Sequence, residues 1–273
     1  MQANREMMNE ACRLITHAGI KLKENFGCCD SRCKSNPHDL VTDLDRSTEE
    51  FLNTELERLY PEIGFEGEEF GLARAGSGDS RWLADPIDGT FHFVKGIPHA
   101  TTMLALLENG VVTLGVIYNF VTHELFTALR GGGAYRNGER IHVSDQPLHG
   151  SCVSVEIRRD RDYAANREFY YRIHDRTMIY HTLNCGYEFG LVASGKLDGR
   201  ICYQPWGTHL DFASGSLLVH EAGGIVSNIG KDRQYDVMDL DLLAVNPAIY
   251  RDLTEGDQAL FPIEPLLFSI DPV

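Results

Sequence analysis

Residues 82–99 read WLADPIDGTFHFVKGIPH, and the six letters DPIDGT decide how the rest of the chain is read. They set Asp85 and Asp88 three residues apart around a proline and follow them with Gly89-Thr90. The preceding Arg81 to Ala84 suit a short buried strand. Pro86 confines Asp85 to an extended backbone, which holds its carboxylate at the strand's end. Gly89 and Thr90 then resemble the start of a helix or turn, with N–H groups able to receive an anion. Two carboxylates beside anion-accepting amides suit no single ligand, unless a hard divalent cation such as Mg²⁺ bridges the acids and a phosphate. A capped turn, with Asp88 as N-cap and Asp85 in a surface ion pair, is the competing reading of DxxD taken alone.

Working outward, further acids appear at intervals. FEGEEF (65–70) puts Glu68 and Glu69 after a glycine at the end of an apolar stretch. VTDLD (41–45) supplies Asp43 and Asp45 ahead of a helical pattern through residue 60. HLDFASGSLLVHEAGG (209–224) places Asp211 at the start of an apolar helix closed by Gly223-Gly224. Each has a plainer role open to it: Asp211 as an N-cap, Glu68 and Glu69 as solvated loop acids, Asp45 as helix-start charge. DLDRSTEE begins like a calcium loop, but its sixth position is Thr48, not Gly, and its twelfth is Thr54, not Glu. That reading is rejected.

Around these motifs, residues 4–26 carry apolar positions at helical spacing, and a polar loop over 27–38 leads to the second helix, expected to start near Asp43–Asp45 with an aspartate as its cap. From 100 to 143, β-branched and aromatic runs break at Asn109-Gly110, Gly131–Gly133 and Asn137-Gly138, which predicts an antiparallel meander. The triple glycine precedes a strand rather than a helix, so it reads as a turn and not a phosphate loop. The second half alternates strands (152–157, 178–182, 198–203, 241–245) with helical patterns (162–173, 186–195, 211–222, 247–254), which predicts a second sheet interleaved with helices. The expected organisation is an N-terminal α+β half over 1–150 and a C-terminal α/β half over 151–273, packed as one unit.

Composition bounds the partners. With 25 basic and 40 acidic residues the net charge is −15, which argues against binding a nucleic-acid polymer or an anionic membrane. No apolar run approaches the roughly 20 residues of a membrane span. The opening MQANREMMNEACRLI does not resemble a secretory signal. Seven scattered cysteines suggest reduced thiols and a cytoplasmic location, and the CCDSRC cluster (28–33) lacks the paired spacing of a metal knuckle.

The ordered set VTDLD, GEE, WLADPIDGT, DFASG and EAGG resembles the inositol monophosphatase family of lithium-sensitive, magnesium-dependent phosphatases, over residues 39 to 224. The resemblance implies a mixed α+β and α/β chain folded as a five-layer αβαβα sandwich, a likeness to enzymes that form homodimers, and two or three Mg²⁺ ions per site. It implies that Glu68, Asp85 and the carbonyl of Ile87 hold one metal, that Asp85, Asp88 and Asp211 hold a second, and that Thr90 with Asp45 positions the attacking water. The amides of Gly89 and Thr90 would hold the phosphate of a small substrate. The substrate side departs from the family: Leu183-Asn184-Cys185-Gly186 replaces its usual small-residue run, and Trp206 to Asp211 is a longer approach to the metal aspartate. Asn184, Tyr187, Glu188, Gln204 and His209 are therefore the candidates to line the pocket, Asn184 and Gln204 foremost among them with Asp88 and Asp211. The expected activity is hydrolysis of a small polyol or sugar phosphate. Adenosine 3′,5′-bisphosphate, fructose 1,6-bisphosphate and histidinol phosphate stand as alternatives, and a non-catalytic regulatory role on the same fold as a third reading.

Overall fold

The computed structural model describes residues 3–28, 32–33, 40–157, 163–181, 185–229, 234–257 and 259–261. The apolar stripe of α1 (Arg5–Glu24) buries Met7, Ala11, Leu14, Ile15, Ala18 and Leu22, and the Asn4 side chain caps it by accepting from the Met7 amide. Within the loop expected over 27–38 lies a short strand, β1 (Arg32–Cys33), which pairs antiparallel with β2 (Leu40–Val41) just after it. Helix α2 (Asp43–Leu59) is capped by Thr42 and not by an aspartate. Thr42 accepts from Leu44 and Asp45, and the Asp45 carboxylate reaches back to the Thr42 amide. A threonine cap leaves the aspartate at the third helical position, where its charge meets the positive end of the helix.

These two helices cover one face of an eight-stranded sheet. Its strands are β3 (Gly64–Gly67), β4 (Gly71–Arg74), β5 (Arg81–Asp88), β6 (Thr101–Glu108), β7 (Val111–Asn119), β8 (Glu124–Leu129), β9 (Gly133–Arg136) and β10 (Glu139–Arg140). Their order is β10-β9-β8-β7-β6-β5-β3-β4, with only β3 and β5 running parallel. The meander forms as expected. Asn109 and Gly110, and Asn137 and Gly138, all have positive φ, the geometry of tight hairpin turns. The Gly131–Gly133 turn does bind an anion, and the anion is internal: the amides of Gly131 and Gly133 each donate to the Glu221 carboxylate at 2.8 Å.

The second sheet holds β11 (Cys152–Ile157), β12 (Met178–Tyr180), β13 (Gly199–Tyr203), β14 (Ile225–Asn228) and β15 (Leu242–Val245) in the order β12-β11-β13-β15-β14. Sandwiched between the sheets lie α5 (Cys185–Ala193) and α6 (His209–Glu221), which contact both. Outside the second sheet lie α4 (Tyr163–His174) and α7 (Pro247–Thr254). The layers are thus α1/α2, sheet, α5/α6, sheet, α4/α7. Three apolar cores fill the interfaces, centred on Leu14 and Trp82, on Phe126 and Phe212, and on Ile173 and Leu243. Helix α6 lies so close to β7 that a Cβ on Gly115 would stand 2.9 Å from the Ser214 carbonyl oxygen.

One irregularity in β5 shapes everything that follows. Asp85 pairs with Met103 and Asp88 with Thr101, so three steps on β5 oppose two on β6. In a regular strand, residues three apart face opposite ways. The extra residue of this bulge, at Pro86-Ile87, brings both aspartates to one side, and it is also where a proline can sit in a sheet without breaking the ladder. Short α3 (Thr90–Lys95) follows after Gly89, which adopts the left-handed conformation at φ 80.

Candidate metal centre

The bulge delivers Asp85 and Asp88, and the first turn of α6 delivers Asp211. One oxygen of each lies within 4.8 Å of the others. Asp85 and Asp88 are buried, and Asp211 is partly so. Each acid is fixed differently. Asp88 Oδ2 accepts from the Gly186 amide at 2.7 Å and the Thr101 hydroxyl at 2.9 Å. Asp211 Oδ2 accepts from the Thr208 amide and hydroxyl at 2.6 and 2.9 Å, completing a capping box that starts α6 two residues before the expected boundary. Asp85 Oδ1 is buried with no hydrogen-bond partner.

Glu68 stands on the turn between β3 and β4, beside Asp85 and within its hydrogen-bonding reach. That turn is held from below by Glu49, whose carboxylate accepts from the amides of Glu69 and Phe70 at 2.7 and 3.1 Å. A Cβ on Gly67 would come within 2.1 Å of the same carboxylate, so only glycine lets the turn sit there. Glu69 takes the other direction, toward Arg46 at 4.0 Å. Asp45 and Thr90 also meet: the Thr90 hydroxyl donates to the Ile87 carbonyl at 2.9 Å and lies 3.3 Å from Asp45 Oδ1. The structure thus groups Asp85, Asp88 and Asp211, sets Glu68 beside Asp85, and joins Asp45 to Thr90, two residues beyond Asp88.

The electrostatics are those of acids short of a cation. Burial, reinforced by Glu68, Asp88 and Asp211, pushes the Asp85 carboxyl well above its ordinary range. Burial, then the Asp211 charge, raises Asp88 to about 7, against the pull of Gly186, Thr101 and Arg200. Burial raises Asp211 to about 6 although Thr208 stabilises its charged form. Clustered, all-oxygen donors with one orphaned buried oxygen fit a hard divalent ion, whose charge would stabilise the ionised forms.

The expected substrate-side residues separate. Asn184 lies outside the described residues. The Gln204 backbone N–H donates to Asp241 Oδ1 at 2.5 Å, and Gln204 has positive φ and lines a cavity of about 270 Å³ with Pro205, Ile229 and Met238–Asp241. That lining includes none of the three clustered acids. Tyr187 and Glu188 are both buried, Tyr187 donating to Glu124 at 2.7 Å and Glu188 pairing with Arg200 and Ser154. Packing between the two sheets buries residues 186–193 of α5. His209 binds Glu66 at 2.9 Å, and Arg81 holds the other Glu66 oxygen at 3.2 Å. The positioning groups Thr42, Thr101, Gly186 and Thr208 were not anticipated. For two of them the signal was present, since Thr42-x-x-Asp45 and Thr208-x-x-Asp211 share the capping-box pattern.

The family model described as "Inositol monophosphatase family" matches residues 3–260. Inositol-1-monophosphatase of Mesorhizobium japonicum is 31% identical over 264 residues, covering 93% of this chain and 97% of that protein. Nus factor SuhB of Escherichia coli (strain K12) is 31% identical over 256 residues, covering 90% and 93%. Among solved structures, an IMPase of Thermotoga maritima superposes with a TM-score of 0.81 at 29% identity, over 90% of this chain and 94% of that one. No described helix is long and apolar enough to cross a membrane.

Proposed function

Because the chain belongs to the inositol monophosphatase family, a group of metal-dependent phosphatases, we propose that it is a Mg²⁺-dependent phosphomonoesterase hydrolysing a small polyol or sugar phosphate. One observation carries this reading: three carboxylates from two distant segments meet within 4.8 Å, and one buried oxygen of Asp85, Oδ1, accepts no hydrogen bond. Glu68, Asp85 and the Ile87 carbonyl would hold one ion, and Asp85, Asp88 and Asp211 another. When bound, such ions neutralise phosphate charge and lower the pKa of a coordinated water to make a nucleophile. Thr90 would orient the attacking water. Its hydroxyl is aligned by the Ile87 carbonyl and backed by Asp45, which can take up the proton the water loses. The amides of Gly89 and Thr90 hold the phosphate, and Asp88 and Asp211 fix the departing oxygen's side. The excess of acidic charge, −15 overall, supports a small substrate over a nucleic-acid polymer. Family membership supports a cytoplasmic homodimer, which light scattering and fractionation test.

The experiment is phosphate release, with and without Mg²⁺, from inositol 1-phosphate, fructose 1,6-bisphosphate, adenosine 3′,5′-bisphosphate and histidinol phosphate. Magnesium-dependent turnover of one compound well above the others names the substrate class. A relative called Nus factor SuhB gives the non-catalytic reading its place. Folded, magnesium-binding protein silent on the whole panel would favour that reading.

A further inference from the structure

Asp88 reaches the metal centre from β5, steadied by the first turn of α5, and Asp211 reaches it from α6; one buried guanidinium joins the two supports. Arg200, on β13, is buried and pairs with Glu188 of α5 and with Glu156 of β11, and it donates to the Ser154 hydroxyl at 2.9 Å. Its cation lies 5.3 Å from the Phe189 ring centroid, also on α5. Helix α5 is the element whose first turn gives the Gly186 amide to Asp88. Glu156 faces the other way: its Oε1 accepts from the amides of Trp206 and Gly207 at 2.8 and 3.3 Å. Thr208, next in line, makes the two bonds that seat Asp211. Gly207 packs so tightly that a Cβ there would stand 2.9 Å from Phe212 and 3.4 Å from Asp211 Cβ. The far end of the turn is pinned as well, by the Gln204 amide on Asp241.

We propose that Glu156, held by Arg200, is a positioning residue for the metal centre, fixing the turn over 205–208 so that Asp211 stays in register with Asp88. This rests on the metal-dependent reading above and adds a group that touches neither metal nor substrate. The need for it is physical. Residues 204–208 form an irregular approach to α6 with no sheet neighbour of their own. Two like-charged carboxylates push apart unless their backbones are held. Three charges spanning β11, β13 and α5, with Arg200 and Glu188 buried and Glu156 partly so, supply a rigid anchor, because their geometry cannot relax without stranding a charge in the interior. Loss of partners that orient metal ligands typically costs 10–100-fold in affinity or activity.

The test compares Glu156→Gln with Glu156→Ala in the full chain. Both lose the charge facing Arg200, which keeps Glu188, so both should melt lower by a similar amount. Only glutamine retains an oxygen for the Trp206 and Gly207 amides. Binding of Mn²⁺, followed by loss of its free-ion paramagnetic resonance signal, is expected to weaken about tenfold or more at the weaker site in Glu156→Ala and to stay within about threefold of the unaltered protein in Glu156→Gln. The Mg²⁺ concentration for half-maximal phosphate release should shift in parallel, with the rate at saturating Mg²⁺ little changed. Equal Mn²⁺ affinity in both variants, whether wild-type or weakened in step with their melting, would overturn the proposal. Mn²⁺ binding that splits the variants in a protein releasing no phosphate would overturn the phosphatase reading and leave the positioning role standing.

Discussion

Replacing Asp88 by asparagine should make the metal-free protein more stable at neutral pH while disabling its chemistry. The Asp88 carboxyl is raised from 3.8 to about 7, first by burial and then by the Asp211 charge. Between those values the unfolded chain has released a proton that the folded chain keeps. Stability must therefore fall as pH rises through that window, and the cost is complete above pH 7. About three pKa units at 1.36 kcal/mol each set a ceiling of about 4 kcal/mol. Relaxation of the site and water entry reduce that, so about 2 kcal/mol is a working figure, or roughly 4–8 °C in melting midpoint for a chain of this size. Asparagine avoids the cost. Its carbonyl oxygen accepts from Gly186 and Thr101 as the aspartate does, and its amide faces Asp211 without repulsion.

The assay is thermal melting of both proteins in EDTA from pH 5 to 8, repeated with Mg²⁺ at pH 8. His92 works in the opposite sense below pH 6.5, because burial and then His99 hold its imidazole down at about 4. It is common to both proteins, so the difference between them isolates Asp88. That difference should grow with pH in favour of Asp88→Asn. Mg²⁺ should raise the wild-type midpoint at pH 8 and the variant's much less. Phosphate release should drop by at least about 100-fold, the upper end of what losing even an outer partner costs a metal site. An asparagine variant that melts below the wild type in EDTA at pH 8, or keeps its rate, would refute the reasoning.

Thr90→Val keeps the shape and removes the hydroxyl that bridges Ile87 and Asp45. The turnover rate should fall about 100-fold with KM nearly unchanged and about 1 kcal/mol or less of stability lost, which steady-state kinetics and melting together check. Gly186→Ala would put a Cβ 2.8 Å from Asp88 Oδ2 and 2.2 Å from Met103 Sδ, so Mg²⁺ affinity should fall at least about tenfold alongside a stability loss of about 1–3 kcal/mol. Glu221→Ala is the contrasting case: it frees the amides of Gly131 and Gly133 and should lower stability by about 1–3 kcal/mol while leaving phosphate release within about twofold.

Much of the site was legible because metal chemistry writes acids into short, ordered motifs, and because DPIDGT combines a proline with a glycine whose conformations are narrow. The sequence pattern placed Asp85 and Asp88 together. The bulge that makes this possible was not readable, since it depends on how β5 registers against β6. Helix interiors were located within a residue or two from apolar spacing, but the caps were assigned to aspartates when threonines hold them. An aspartate at either position serves as a cap by propensity alone, and only its second role in the site explains why it sits three residues further on. Strands β3, β4 and β14, four residues each, are too short for an alternating pattern to stand out. The Glu156–Arg200–Glu188 network was invisible for a different reason: its members lie 44 and 12 residues apart, and nothing local links them.

The helix starts around the acids explain why the site needs cations and not merely a rigid fold. Asp45 sits in the first turn of α2, Asp211 in that of α6, and Asp88 accepts an amide from the first turn of α5. Each helix start offers the equivalent of roughly half a positive charge. Three such halves face Asp45, Asp85, Asp88, Asp211 and Glu68, a set of up to five negative charges, and Arg200 adds one more positive charge at a distance. The remainder is negative, and it adds to burial, the larger cause, in driving the carboxyls of Asp85, Asp88 and Asp211 upward in the absence of metal. Protons can make up the difference only by neutralising the ligands themselves. Divalent cations make it up while leaving every carboxylate charged, so the fold is arranged to favour the ionised cluster only when metal is bound.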